Sequence, residues 1–310
     1  MRTILKMGDG LPASVVVTLV LAAVILAACS AGARSPANGS VRVVVAENFW
    51  GSVATQIAGA QADVTSVIDR PGTDPHDYEP TPGDARNVAD SELVVENGIG
   101  YDPWMQQLVD ADGSPRQVVL DVGKLLGVPD GGNPHQWYSS ASVHRVAACI
   151  ARDLEAADPA HRTAYERNER AFETRALAGY DSLIAGIKRD DAGTPIGGSE
   201  SIVAPLAETL GLKLMTPAKF LDAIAEGNEP AASDKTTADA QIREHRIAVF
   251  VYNTQNSTPD VQRLVDEAGR EHVPVVPITE TMTPANATFQ EWQVRQLRLL
   301  SVALATATGR

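Results

Sequence analysis

The chain has 310 residues, 44% of them hydrophobic and 21% charged, and a formal net charge of −13. That balance excludes nucleic acid as a partner, because phosphate binding needs clustered Lys and Arg, and it suits a soluble protein whose ligand is a cation. A globular chain of this length divides into two domains of roughly 100–150 residues each.

Arg2 and Lys6 precede an apolar run from Leu11 to Ala28 that only Pro12, Ser14 and Thr18 interrupt. This pattern reads as a secretory signal peptide over residues 1–28, outside the fold. Leu26-Ala27-Ala28-Cys29 resembles the bacterial lipobox, in which Cys29 becomes the lipidated first residue of the mature chain. A plain transmembrane anchor is the alternative. A lipid ties a protein to the membrane without spanning it. Residues 29–40 then read as a flexible tether. Removing residues 1–28 takes away Arg2, Lys6 and Asp9, a net +1, and leaves −14. With Cys29 lipidated, Cys149 stands alone in an apolar-periodic run and reads as a buried inert thiol.

The β-branched run 41–46 reads as a buried first strand, followed by a helix over 50–60 that ends at Gly59. Strands are expected over 64–68, 93–96 and 118–121, with helices over 84–90 and 103–110. Strands alternating with helices predict a parallel sheet covered on both faces, with ligands beyond the carboxyl ends of its strands. A helix is expected over 141–156. Residues 160–190 hold no proline and read as one spine helix of about 45 Å at 1.5 Å per residue. The alternation then resumes, with strands over 194–198, 213–216, 247–252 and 273–278. Helices are expected over 200–210, 234–245, 259–270 and 288–307. The fold class is α/β: two Rossmann-like lobes with parallel sheets, joined by a long rigid spine helix. The expected parts are an N-terminal lobe over 41–158, the linking spine over 159–190 and a C-terminal lobe over 191–310.

Asp74-Pro75-His76-Asp77-Tyr78-Glu79-Pro80 sets one imidazole among oxygen donors, between prolines that stiffen the backbone. Asn133-Pro134-His135-Gln136-Trp137 repeats the polar–Pro–His order at another strand end, after Gly131-Gly132. Two acids follow strands of the second half: Glu200, after Ser199, and Glu280, after Thr279. Each has a plainer reading. The histidines can be ordinary loop residues, Glu200 a first-turn acid favoured by the helix dipole behind an N-capping Ser199, and Glu280 a solvated turn acid. Together, two imidazoles on one lobe and two carboxylates on the other make a four-ligand site for a first-row divalent metal across a cleft. His144, His161, His245 and His272 read as structural or exposed. Trp50 and Trp137 either line the cleft or pack. Tyr78 and Glu79 read as braces of the loop, with Arg86 and Asn253 as weaker candidates for orienting the ligands.

These segments resemble the metal-binding lipoproteins of bacterial zinc and manganese ABC importers, the cluster A-I family. The resemblance rests on Gly72-x-Asp74-Pro75-His76-x-Tyr78-Glu79-Pro80-Thr81-Pro82, on Leu93-Val94-Val95-Glu96-Asn97-Gly98 and on Asn133-Pro134-His135-x-Trp137. It runs from about residue 41 to the C-terminus and is strongest in the first lobe. It implies metal ligation by His76, His135, Glu200 and Glu280. Glu280 falls where the family usually has Asp, and the long His-rich loop of many zinc-specific relatives is absent before His135, which tilts the expectation toward manganese.

The implied function is that of an extracytoplasmic substrate-binding lipoprotein, anchored to the bacterial cell membrane by lipid on Cys29. It captures Mn2+ or Zn2+ between the lobes as transported ligand and delivers it to an ABC transporter permease. It is expected to be a monomer without enzyme activity or nucleic-acid partner. Capture is expected to be pH-sensitive, because His76 and His135 must be neutral to ligate. The rival readings are a binding protein for an organic metal chelate, a metallohydrolase built on His76 and His135, and an adhesion lipoprotein with a vestigial site.

Overall fold

β1 (Val41–Glu47) is buried along almost its whole length, as a central strand covered on both faces must be. It runs into α1 (Asn48–Ala58), whose C-cap is Gly59 at φ 60, where a side chain is disfavoured. β2 (Ala62–Ile68), β3 (Leu93–Glu96) and β4 (Val118–Asp121) complete a four-stranded sheet in the order β2-β1-β3-β4, every pair parallel. α2 (Pro82–Ala89) and α3 (Pro103–Asp112) provide crossovers. α2 opens with Pro82 behind a capping box, in which Thr81 and Asp84 satisfy each other's backbone N–H groups. This computed structural model describes residues 40–310 apart from 74, 76, 77, 113, 115 and the side chain of Asp112. The expected signal peptide, Cys29, the expected tether as far as residue 39, and His76 lie outside the described residues.

After β4 come α4 (Val122–Leu126), which the sequence reading does not anticipate, and α5 (Ser140–Ala157). The expected single spine is two helices, α6 (Arg162–Ala171) and α7 (Ala178–Asp191), joined by a π-helical stretch, Phe172–Ala176. Such wide turns loosen the i to i−4 ladder locally. The second sheet holds β5 (Pro195–Gly198), β6 (Lys213–Leu214), β7 (Val249–Asn253) and β8 (Val275–Ile278) in the order β6-β5-β7-β8, again all parallel. Its helices are α8 (Val203–Leu210), α9 (Ala218–Ala225), α10 (Ala232–Arg243) and α11 (Pro259–Arg270), and α12 (Phe289–Thr308) closes the chain. α9 is also unanticipated.

Both sheets have one strand order, and in each the order reverses between the first and third strands. Ligands of open parallel sheets lie at that reversal, beyond the carboxyl ends of the strands. One hydrophobic cluster runs through both lobes, from Val43 and Phe49 through Tyr138 and Tyr180 to Leu206 and Trp292. No helix among the described residues is long and apolar enough to cross a membrane.

Candidate metal centre

His135 precedes the short 3-10 turn Gln136–Tyr138 and is 1% exposed. Asn133 sets its orientation. The Asn133 side-chain amide donates to the Ser201 carbonyl at 2.6 Å. Its oxygen therefore faces His135, where it accepts from the backbone N–H at 3.0 Å and from the ring Nδ1 at 2.9 Å. An oxygen acceptor at Nδ1 fixes the proton there and leaves Nε2 as the free lone pair. Nε2 lies 3.5 Å from Oε1 of Glu280. The ring stands edge-on to Trp137, 5.2 Å between centroids, so it is clamped by packing as well as by hydrogen bonds.

Glu200 follows β5 in a turn that precedes α8. The helix expected from residue 200 starts at Val203 instead, and Ser199 does not cap it: its hydroxyl accepts from the Asn253 N–H at 2.9 Å. The dipole reading of Glu200 therefore fails. Glu200 is 1% exposed, which requires donors for its oxygens. Asn253 donates to Oε1 at 2.7 Å and Asn256 to Oε2 at 2.6 Å. Glu280, two residues beyond β8, accepts from the Tyr101 hydroxyl of the other lobe at 2.9 Å and from Asn253 at 3.3 Å. Asn253 thus bridges both carboxylates from the end of β7.

His135, Glu200 and Glu280 each offer a ligand atom within 4.8 Å of the other two. A slight contraction brings such a set onto one ion at bonds of about 2.0–2.2 Å. The described residues beside His76 are fastened near by. The Pro75 carbonyl accepts from the Trp104 indole at 3.0 Å, and the Tyr78 hydroxyl donates to Asp84 at 3.0 Å. Pro75 shares a cavity of about 150 Å3 with Asn256, Glu280 and Thr281. A larger cavity, about 570 Å3, leads from His135 and Ser201 out to Asp222 and Glu226.

Asn253, a weaker candidate in the sequence, donates to both Glu200 and Glu280. Arg86 and Glu79 are exposed and take no part among the described contacts. Trp50 and Trp137 are fully buried and pack; the Trp50 indole donates to Asn97 at 3.0 Å. Cys149 is buried, and desolvation pushes its thiol up to about 11. His245 and His272 adopt positive φ just past the ends of α10 and α11, positions usually given to Gly or Asn. His161 pairs with Asp158 at 2.6 Å on the surface. Tyr101, Ser201 and Asn256 escaped the sequence reading. The one local signal was the asparagine pair 253 and 256 straight after a buried strand.

The family model described as zinc-uptake complex component A, periplasmic (ZnuA), matches residues 43–303. A manganese ABC transporter substrate-binding lipoprotein, PsaA of Streptococcus mitis, is 30% identical over 168 residues, 50% of this chain and 54% of that protein. The manganese-binding lipoprotein MntA of Halalkalibacterium halodurans is 31% identical over 160 residues, 50% of this chain and 53% of its own length. The chain thus spans about half the length of the curated relatives it matches. A Mn-bound periplasmic metal binding protein from Candidatus Liberibacter asiaticus shares the fold at a TM-score of 0.72 and 19% identity, over 86% of this chain and 100% of the other. With the family model matching most of its length, the chain belongs to the periplasmic zinc-uptake complex component A family.

Proposed function

We propose that this chain is the extracytoplasmic binding component of an ABC importer, which captures a divalent transition metal, Mn2+ or Zn2+, between its lobes and hands it to a membrane permease. The observation that carries the reading is the convergence of His135 from one lobe with Glu200 and Glu280 from the other, ligand atoms mutually within 4.8 Å. His76, on a loop whose described neighbour Pro75 shares a cavity with Glu280, is the fourth ligand in this reading. The names of the relatives, manganese lipoproteins of ABC transporters, support the same cargo, partner and lipid anchor, here on Cys29. The lobes of the reading are residues 41–158 and 191–310, with 159–190 between them. It includes no catalysis: the two carboxylates are held by Asn and Tyr donors as ligands.

Metal-stripped protein titrated with Mn2+ and with Zn2+ by calorimetry should take up one ion per chain. Glu280→Ala, His135→Ala and His76→Ala should each weaken that uptake by more than about a hundredfold, beyond the 10–100-fold of lost orienting contacts. Unchanged uptake in Glu280→Ala, or an organic chelate co-purifying with the ion, would overturn the reading.

A further inference from the structure

A second, acidic cavity lies in the first lobe, and none of the three converging ligands lines it. It holds about 400 Å3 and is lined by Glu96, Asp102, Asp121, Asp130, Lys124 and Gln106, among others. Glu96 ends β3 and Asp121 ends β4, and the two are in-register partners on neighbouring parallel strands. Side chains at such positions leave the sheet on the same side.

Two of these acids are answered. Asp102 accepts the backbone N–H groups of Asn97 and Gly98, both at 2.7 Å. Asp121 accepts the Lys124 N–H and faces its ammonium, both at 2.9 Å. Glu96 differs. It is 2% exposed, and its Oε2 is buried with no hydrogen-bond partner. An unsatisfied buried carboxyl oxygen costs stability and calls for a missing partner. Here that oxygen belongs to a side chain lining a cavity large enough for several heavy atoms.

A chelated metal does not suit the spacing. Among the described residues, the one set of three potential ligands within 4.8 Å is that of His135, Glu200 and Glu280. Carboxylates set farther apart suit a cation whose N–H donors are themselves spread, as in a guanidinium or a primary ammonium. Lys124 already shows that chemistry at Asp121.

We propose that this cavity is a binding site for an organic cation, whose ammonium or guanidinium group donates to Glu96 between Asp102 and Asp121. The charged groups facing Glu96 are Asp102, Asp121, Asp110 and Lys124, with Glu47 behind. Burial first, then Asp102 and Asp121, push Glu96 up to about 8, against the opposing pull of Lys124. The empty site therefore carries a proton near neutrality, and the incoming cation displaces it. Binding should release close to one proton at neutral pH and tighten as pH rises toward 8.

The test is calorimetry of the full chain with n-propylguanidinium and with a capped Gly-Arg-Gly peptide, in two buffers of different ionisation heat. Saturable binding with proton release is expected for both probes, weakened about tenfold or more in Glu96→Gln. Asp121→Asn, which keeps a capping side chain on α4, should weaken it less. Thermal melts of both variants show whether they fold, whatever happens at the cleft. Tighter binding of the peptide assigns the cation to a protein partner's side chain, and equal or tighter binding of the small cation assigns it to a free metabolite. Absence of binding by both probes, binding without proton release, or binding unchanged in a folded Glu96→Gln would overturn the proposal.

Discussion

At the strand ends of the second lobe, Glu200 and Glu280 each receive two side-chain donors, from Asn253, Asn256 and Tyr101. At the strand ends of the first lobe, Glu47 and Glu96 are buried without such donors: the side-chain partner of Glu47 is another acid, Asp102, and Oε2 of Glu96 has none. The sheets have the same order, so the difference is not one of topology. It lies in which residues accompany the acid. Amide and phenol donors let a buried carboxylate hold its charge, ready for a cation. Without donors, desolvation favours the neutral acid. Glu47, beside Asp102, Glu96 and Glu280, is accordingly raised well above the ordinary range, chiefly by burial. Asp102, with two backbone donors, is pushed up only to about 6.

The largest effect expected from this contrast is on stability. Glu96 rises from 4.5 to about 8, so the folded chain binds a proton that the unfolded chain releases near 4.5. The sign follows: stability attributable to this group is intact below pH 4.5 and declines as pH rises to about 8. At 1.36 kcal/mol per pKa unit the whole span is about 4–5 kcal/mol, and relaxation of the site leaves roughly half of it. Glu96→Gln should flatten that decline. Urea unfolding of metal-free protein at mildly acidic and mildly alkaline pH reads it, as the change in midpoint between the two. Equal changes in the two proteins would mean that the first-lobe acids are not held neutral, and the contrast would fail.

Next in size is the effect of removing the bridge on the other lobe. Asn253 touches both Glu200 and Glu280, whereas Asn256 touches Glu200 alone of the pair. Orienting contacts of this kind are worth about 10–100-fold in metal affinity. Asn253→Ala should fall toward the upper end of that range and Asn256→Ala toward the lower, in the same Mn2+ titration. If the two variants weaken binding equally, Asn253 is not acting as a bridge.

Much of the fold could be read from local pattern. The runs Val41–Ala46 and Leu93–Glu96 are apolar enough to be buried strands in any context, and Gly59 marks a helix end by its backbone requirement. The shortest helix was not legible: α4 has 5 residues, too few for a period to declare itself. The π-helical turn at 172–176 left no trace in a helix-favouring sequence. At the site, His135, Glu200 and Glu280 stood out because strand-end acids and Pro-His loops are unusual. Tyr101 did not, because its contact with Glu280 joins residues 179 apart across two lobes. Nor did the isolation of Glu96: a lack of partners belongs to the folded surroundings, and β3 reads the same whether or not a donor lies above it.

The spine between the lobes shows a third way of holding an acid, beside a resident cation. His144 on α5 contacts Glu173 in the π-helical turn through Nδ1 and Asp181 on α7 through Nε2, the latter at 3.2 Å. The Ser140 hydroxyl lies 3.5 Å from the same Asp181 oxygen. The hydrogen bond to Glu173 raises His144 most, desolvation opposes it, and Asp181 adds to the rise, which carries the imidazole from 6.5 to about 9. The charged ring therefore ties α5 to the π-helical turn and to α7, at the place where the spine's own ladder is widened. Its contribution is complete below pH 6.5 and is lost as pH rises through about 9. All three side chains are about a third exposed, so solvent screening holds the effect to about 1 kcal/mol. His144→Ala should lower stability by that amount in mild acid and by progressively less toward alkaline pH; like Glu96→Gln it removes a decline of stability with rising pH, but over the later window from 6.5 to about 9. Unfolding curves on the metal-free protein measure both slopes, and a His144→Ala cost that did not shrink with pH would place the contribution in packing of the ring instead of its charge.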